Sequence, residues 1–340
     1  MDGPPAEYSQ PLWRNLHGRA FFPDIHGCPM PEAFQPDSLR VQLRPLAAAQ
    51  AEPPEAQAYR QFFRLNFPGA TSQLGRMDVG GYEVVTQLWL PPAPKATLVL
   101  QHGYYDHMGL YGHVIAWALD RGFAVLACDL PGHGLSSGTR ASIGEFSEYQ
   151  TVFQGLLNEA VGLDLPQPWH LCGQSTGGAI IIDFLLSNPQ RPEVGQVLLL
   201  APLVRPRAWG WSKLSYRVMR HFVTQIPRRF SPNSNDAEFL AWIQTDPLQP
   251  LSLPTAWVGA LSRWVPQIEQ AAASERRLVI VQGDADMTVD WRHNLEVLRA
   301  KFSAVEVLIL DGGRHHLANE SAEIRARLFA FLTQQFVTAN

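Results

Sequence analysis

Gly173-Gln174-Ser175-Thr176-Gly177 reads G-x-S-x-G, and its surroundings decide how the rest of the chain is read. Before it runs Pro168-Trp169-His170-Leu171-Cys172, a short apolar stretch of strand character. After it runs Gly178-Ala179-Ile180-Ile181-Ile182-Asp183-Phe184-Leu185-Leu186, which can continue as a buried helix. Strand, sharp turn and helix form the setting in which a serine hydroxyl is lifted above a sheet edge. Glycines two before and two after the serine let strand and helix approach without clashing Cβ atoms. The helix N-terminus then lies beside the hydroxyl, where free N–H groups and the helix dipole favour a developing oxyanion. A glycine-rich turn with an incidental serine would show the same five letters, so the partners elsewhere in the chain must decide.

Those partners are sought in a chain of 340 residues, long enough for one large α/β domain or two ordinary ones. Hydrophobic residues make up 46% and charged residues 17%, which supplies a large core. A net charge of −4 argues against general nucleic-acid binding. The opening Met1-Asp2-Gly3-Pro4-Pro5 has no basic segment leading into an apolar one, so no secretory leader is expected. No uncharged apolar run approaches membrane-spanning length. Three cysteines, Cys28, Cys128 and Cys172, suit a reduced compartment, and the cytoplasm is the expected location. Cys128 and Cys172 end strand-like runs and read as buried core thiols.

Along the chain, residues 1–58 are rich in proline and read as an extended arm with little regular structure, its aromatics Trp13, Phe21, Phe22 and Phe34 docking on the core. Tyr82 to Leu90 alternates like a half-buried antiparallel strand after the Gly80-Gly81 turn. Ala96 to Gln101 is a continuous apolar run of the kind covered on both faces. Similar runs recur at 123–128, 170–172, 196–200, 278–281 and 305–310, with helix-length segments between most of them. This rhythm predicts a mostly parallel sheet with helices on both faces, spanning 59–202 and 271–340. Residues 203–270 interrupt it and read as a helical cap inserted over the carboxyl ends of the strands.

A serine nucleophile needs a base, and the base needs an orienting acid. Leu278-Val279-Ile280-Val281-Gln282-Gly283-Asp284-Ala285-Asp286 is a strand ending in a glycine–acid turn, and Asp286 is the first choice of acid. Asp284 ranks second; Asp290 ranks third because it reads as a helix cap. The next strand ends in Asp311-Gly312-Gly313-Arg314-His315-His316-Leu317, a loop that can bring a histidine over the serine. His315 is preferred as the base, and His316 is expected to start the last helix. For the oxyanion, one backbone N–H should come from Thr176 and the other from Tyr104, in the loop that follows Leu98-Val99-Leu100 and begins Gln101-His102-Gly103.

His102-Gly103-Tyr104-Tyr105-Asp106-His107, Tyr111 and Asp129-Leu130-Pro131-Gly132-His133-Gly134-Leu135-Ser136-Ser137-Gly138 then complete a recognisable series. It resembles the monoacylglycerol lipase and lysophospholipase branch of the α/β-hydrolase superfamily, of the serine aminopeptidase S33 type. In that branch HGxxEH and DxxGHGxSxG precede the G-x-S-x-G turn. Gly283 to Asp286 and Gly312 to His315 match its later G-x-x-D and G-x-x-H elements, and the likeness runs over about residues 95 to 335. Asp106 stands where the branch has glutamate, and the N-terminal arm is longer than usual. The resemblance implies an α/β-hydrolase fold with a cap. It also implies hydrolysis of a carboxylic ester with an apolar acyl part, monoacylglycerol- or lysophospholipid-like, through an acyl-enzyme that water cleaves. No cofactor and no metal is then expected.

Rival readings leave marks in the sequence. His102 to His107 approximates a dinuclear metal signature, but Tyr104 stands where a ligand is required. Same-fold dehalogenases and epoxide hydrolases use an aspartate where Ser175 stands. A peptidase or C–C hydrolase of this fold would keep all three side chains, and a catalytically silent ligand-binding protein would use the cap pocket alone. Five of the ten tryptophans, Trp209, Trp211, Trp242, Trp257 and Trp264, lie between 203 and 270. They serve either as an acyl slot, with His102 and Gly103 beside it, or as the cap's own core. The same segment holds eight basic residues against four acidic ones, with no acid from Arg205 to Arg229. Such a cap suits transient contact with an anionic lipid surface or head group, against the alternative of a solvated arginine face.

Overall fold

The computed structural model describes residues 34–46, 53–228 and 230–337. In chain order the strands are β1 (Thr71–Val79), β2 (Tyr82–Leu90), β3 (Ala96–Gln101), β4 (Phe123–Cys128), β5 (Trp169–Gln174), β6 (Val194–Leu200), β7 (Gln225–Pro227), β8 (Ser252–Pro254), β9 (Ser274–Gly283) and β10 (Phe302–Leu310). The helices are α1 (Pro36–Gln42), α2 (Pro54–Phe62), α3 (Gly112–Asp120), α4 (Phe146–Gly162), α5 (Thr176–Ser187), α6 (Trp209–Met219), α7 (Ala237–Trp242), α8 (Thr255–Gln270), α9 (Trp291–Lys301) and α10 (Ala322–Val337).

Eight strands form one sheet in the order β1-β2-β4-β3-β5-β6-β9-β10. β2 pairs antiparallel with β1 and β4, and the remaining neighbours pair in parallel. The apolar runs become the middle of this sheet: every residue of β3, β4 and β5 is buried. Helices cover both faces there, so neither side of these strands meets water. Burying each large aliphatic side chain, such as Val99, Leu126 or Leu171, stabilises the fold by about 1.5–3 kcal/mol. From β3 the chain steps one way to β4, then crosses back to the other side of β3 for β5. The strand order reverses there, and the carboxyl ends of β3 and β5 flank the crevice where open α/β sheets bind ligands. This is the predicted α/β-hydrolase architecture.

The described part of the arm expected to be extended over residues 1–58 departs from that reading. Within its described part, α1 and α2 are helical, and each has a proline in its first turn. Proline lacks only an N–H that is unpaired there anyway, so these prolines start helices. Phe34 packs edge-on against Tyr59, Phe62 and Phe63 at 5.4–5.7 Å between ring centroids. Trp13, Phe21, Phe22 and Cys28 lie outside the described residues. Arg44 to Leu46 runs beside β1, with Arg76 donating to Arg44 at 2.9 Å and Leu46 donating to Arg76 at 3.3 Å. Gly75 makes this approach feasible, because a Cβ there would stand 2.8 Å from the Leu46 Cα.

β2 also differs from its expected alternation: Val84 to Trp89 is buried without a break. Its outer face is covered by the chain leaving α2, where the Leu65 carbonyl accepts the Trp89 indole N–H at 3.4 Å. Cys128 and Cys172 are buried free thiols, and burial pushes both up to about 12.

The 203–270 segment holds α6, α7, α8 and the two-stranded pair β7–β8. It packs over the loops that follow β3 and β10. His107 Nε2 meets Asp246 at 2.9 Å with both side chains fully buried, and His316 donates its backbone N–H to Asn233 at 2.8 Å. Within this segment, α8 carries a long buried face. Trp257, Leu261, Trp264, Val265 and Ile268 join the main hydrophobic core. Trp264 stacks on Phe146 at 4.6 Å and donates to Asp183 at 3.0 Å. Among the described residues, no helix is long and apolar enough to cross a membrane.

Candidate active site

Ser175 sits between the end of β5 and the start of α5 with φ +52° and ψ −112°. A non-glycine residue held there stores about 1–3 kcal/mol of strain, which the surrounding bonds must hold. Its N–H donates to Leu200 at 2.9 Å, and its carbonyl accepts from Ala179 at 3.0 Å and Leu203 at 3.1 Å. The flanking glycines are sterically required. A Cβ on Gly173 would lie 2.6 Å from Gly177 backbone atoms, and one on Gly177 would lie 2.2 Å from the Gln101 carbonyl oxygen.

His315 and Asp286 reach this serine from the loops after β10 and β9. His315 Nε2 lies 3.0 Å from Ser175 Oγ, and Nδ1 lies 2.7 Å from Asp286 Oδ2. The hydroxyl and the imidazole are 140 residues apart in the chain. Asp286 is itself held: Oδ1 accepts from Thr288 N–H at 2.8 Å and Val289 N–H at 3.2 Å, and Oδ2 accepts from the Gln282 amide at 3.1 Å. Burial works against its charge, but His315 and these donors outweigh burial and hold its carboxyl below the usual range. For His315, burial disfavours the imidazolium, yet Asp286 outweighs it and lifts the pKa above the ordinary 6.5. A general base must be neutral to take a proton. Turnover at low substrate is therefore expected to rise with pH through an apparent pKa above 6.5, measured as kcat/KM against pH.

The competing candidates have other partners. Asp284 accepts the Gly312 N–H at 2.8 Å in the turn between the two loops. Asp290 stands at the N-terminus of α9 as expected, but its carboxylate pairs with Arg205 at 2.7 Å and makes no cap bond. His316 precedes a one-turn 3-10 helix (Leu317–Asn319), while the last helix, α10, begins at Ala322. Its ring lies 3.4 Å from Asp106.

The loop after β3 lies against the serine. A Cβ on Gly103 would stand 2.9 Å from Asp106 Oδ2 and 3.4 Å from Ser175 Cβ, so glycine lets the turn fold back on Asp106 beside the serine. Tyr111 Oη accepts the Gly103 N–H at 3.0 Å and donates to Asp106 at 2.8 Å. Asp106 closes the turn by donating its own N–H to the Gly103 carbonyl at 3.2 Å. Tyr104, the next residue, stacks on Trp257 at 3.8 Å and donates its hydroxyl to Ala141 at 2.7 Å. Thr176 is the first residue of α5, where backbone N–H groups have no partner within the helix.

Four of the proposed pocket residues take other places. His102 is 1% exposed and fully bonded: Nε2 accepts the Leu130 N–H at 2.8 Å, and Nδ1 meets the Gly103 carbonyl at 2.7 Å. Burial pushes its pKa down to about 3, so it ties loops together as a neutral ring. Trp211 is 74% exposed on α6 and lines no slot. Trp209 belongs to the main core. Trp242 packs on Phe62, Phe63 and Phe239, which makes it a contact between α7 and α2. The metal-like pattern is likewise occupied internally, Asp106 by Tyr111 and His107 by Asp246. Sequence reading missed Gln174, whose side chain accepts the Ala318 N–H at 3.1 Å, and Glu320, which accepts the Arg314 N–H at 2.7 Å and the Asn235 N–H at 3.0 Å. Gln174 stands inside the quoted G-x-S-x-G turn and Glu320 three residues past the quoted histidine loop, and their burial, not their spacing, reveals them.

The chain is similar to proteins of known family. Residues 92–322 match the family described as serine aminopeptidase, S33. A monoacylglycerol lipase of Mycolicibacterium smegmatis is 30% identical over 255 residues, covering 71% of this chain and 89% of the relative. The human monoglyceride lipase is 26% identical over 266 residues, covering 74% and 86%. The structure of a soluble variant of the Saccharomyces cerevisiae monoglyceride lipase, solved with a substrate analogue, superposes with a TM-score of 0.68 at 15% identity. That alignment covers 79% of this chain and 95% of the yeast one. By sequence and by fold, this chain belongs to the serine aminopeptidase S33 family of α/β hydrolases.

Proposed function

We propose that this chain is a serine hydrolase of carboxylic esters with an apolar acyl part, monoacylglycerol- or lysophospholipid-like, working through an acyl-enzyme. The single observation that carries this reading is the relay from Ser175 Oγ to His315 at 3.0 Å and on to Asp286 at 2.7 Å. Ser175 attacks the ester carbonyl while His315 Nε2 takes its proton. The Tyr104 and Thr176 N–H groups stabilise the tetrahedral oxyanion. His315 returns the proton to the leaving alcohol, then activates the water that frees the acid. Asp286 fixes the tautomer and stabilises the imidazolium. The monoacylglycerol lipases among its relatives support the choice of substrate. Fatty-acid release from a panel of monoacylglycerols and lysophospholipids tests it. Turnover of amino-acid anilides with no ester cleavage would favour instead the peptidase reading that the family description raises. The sparse cysteines support a cytoplasmic setting.

We also infer transient contact between the cap and an anionic membrane surface. Trp211, Leu214 and Val218 project from α6 at 74%, 53% and 54% exposure, and Phe222 follows at 79%. Their spacing keeps them on one side of the helix. Lys213, Arg217 and Arg220 flank them, each cation adding about 1 kcal/mol near an anionic surface. Phosphatidylcholine–phosphatidylserine vesicles should sediment the protein at low salt. Trp211→Asp with Phe222→Asp should weaken this by at least about tenfold. Equal binding of the wild type and this variant would remove the idea.

A further inference from the structure

The turn proposed to present the oxyanion donor is strained, and the cap holds it. Gly103 to Asp106 closes with the Asp106 N–H on the Gly103 carbonyl, and Tyr105 occupies the third position with φ +69°. Glycine or asparagine normally fills a position of this kind, because a Cβ disfavours it. Tyr105 is flanked by a run of packed rings and a guanidinium. Trp257 lies on Tyr104 at 3.8 Å and Tyr104 on Tyr105 at 4.2 Å. The Arg228 guanidinium lies on Tyr105 at 4.1 Å, with Phe230 on its other side at 4.3 Å. A planar guanidinium suits such a sandwich, where an ammonium would act only as a point charge.

Arg228 is also linked to the far end of the same loop, through Gln249 and Asp246. Its Nη1 donates to Gln249 at 2.7 Å and to the Pro250 carbonyl at 3.2 Å. Gln249 donates to Asp246 at 2.8 Å, and Asp246 pairs with His107. The cap therefore grips residues 104–107 at both ends, and Arg228 is the side chain common to the two grips. Among the described residues no carboxylate lies within ion-pair distance of Arg228, and Asp106 and Asp246 act on it only from farther away.

We propose that Arg228 is a positioning residue for ester hydrolysis: seated between Tyr105 and Phe230, it holds the strained Gly103–Asp106 turn so that the Tyr104 N–H faces the oxyanion. This rests on the ester-hydrolase reading above. Tight cap docking and oxyanion stabilisation are then coupled through one side chain.

The test is the kinetics of Arg228→Ala, Arg228→Lys and Tyr105→Gly on p-nitrophenyl butyrate, with inhibition by an alkyl trifluoromethyl ketone. Misplacing a donor lowers kcat and weakens a tetrahedral analogue together. Arg228→Ala should lower kcat by about 10- to 100-fold, raise the ketone Ki in parallel and leave KM within about twofold. Arg228→Lys should fall between it and the wild type. Glycine adopts a positive φ unaided, so in the Tyr105→Gly background Arg228→Ala should cost less than about threefold, a departure from additivity. Unchanged kcat and Ki in Arg228→Ala would overturn the proposal, as would a loss confined to KM. If that variant does not fold, a Tyr105→Gly effect fully additive with Arg228→Lys would overturn it as well. A wild type that cleaves no ester would remove the hydrolase reading itself, a result distinct from an active enzyme indifferent to Arg228.

Discussion

Ser175→Ala is expected to lower kcat for p-nitrophenyl esters by about 10⁶-fold, with the melting temperature kept or raised. The residue at 175 does two separable things. Its hydroxyl meets His315 at 3.0 Å, and its backbone holds φ +52° with three hydrogen bonds, to Leu200, Ala179 and Leu203. Alanine deletes the first and keeps the second, because the backbone bonds and the glycines at 173 and 177 are untouched. Steady-state turnover beside a thermal melt separates the effects. Loss of activity with loss of folding would make the serine structural. Retained activity with an intact fold would place the nucleophile elsewhere.

Asp286→Asn should follow with a fall in kcat of about 10⁴-fold. The neutral amide can present an N–H where His315 Nδ1 needs an acceptor, turning the ring into the tautomer that cannot take the Ser175 proton. The carboxylate also opposes burial in setting the His315 pKa. Without it, only Asp106 still opposes burial, and the imidazole pKa falls. The acid limb of the pH profile in this variant should therefore move to lower pH than in the wild type, while the plateau drops. A variant whose limb stays in place would mean that some group other than His315 titrates. Asp284→Asn is the companion control. That side chain only accepts the Gly312 N–H at a turn, so turnover should stay within about threefold.

What could be read in advance follows from how local each constraint is. The turn around Ser175 was legible because strand, turn and helix are contiguous, and two glycines are needed wherever Gly173 meets Gly177 and Gly177 meets Gln101. Asp286 and His315 were legible as candidates because each follows a buried strand and a glycine, on neighbouring parallel strands whose carboxyl ends share one rim. Contacts made by the inserted segment were not. Nothing in the spacing says that His107 meets Asp246, 139 residues away, or that Arg228 slides between Tyr105 and Phe230. The tryptophans illustrate the same limit. Composition placed five of them in one segment, yet Trp257 and Trp264 entered the core, Trp242 met α2, and Trp211 faces water. The described part of the arm was misread for a different reason, since Pro36 and Pro54 are equally compatible with an extended chain and with a helix start.

The most direct measurement is the intact mass of the protein after reaction with a fluorophosphonate, followed by peptide mapping. A serine activated by a neighbouring imidazole should take up one phosphonyl group, located on Ser175, and His315→Ala should abolish the adduct. A protein that remains unlabelled, or one labelled equally well on another residue when Ser175 is replaced, would contradict this account.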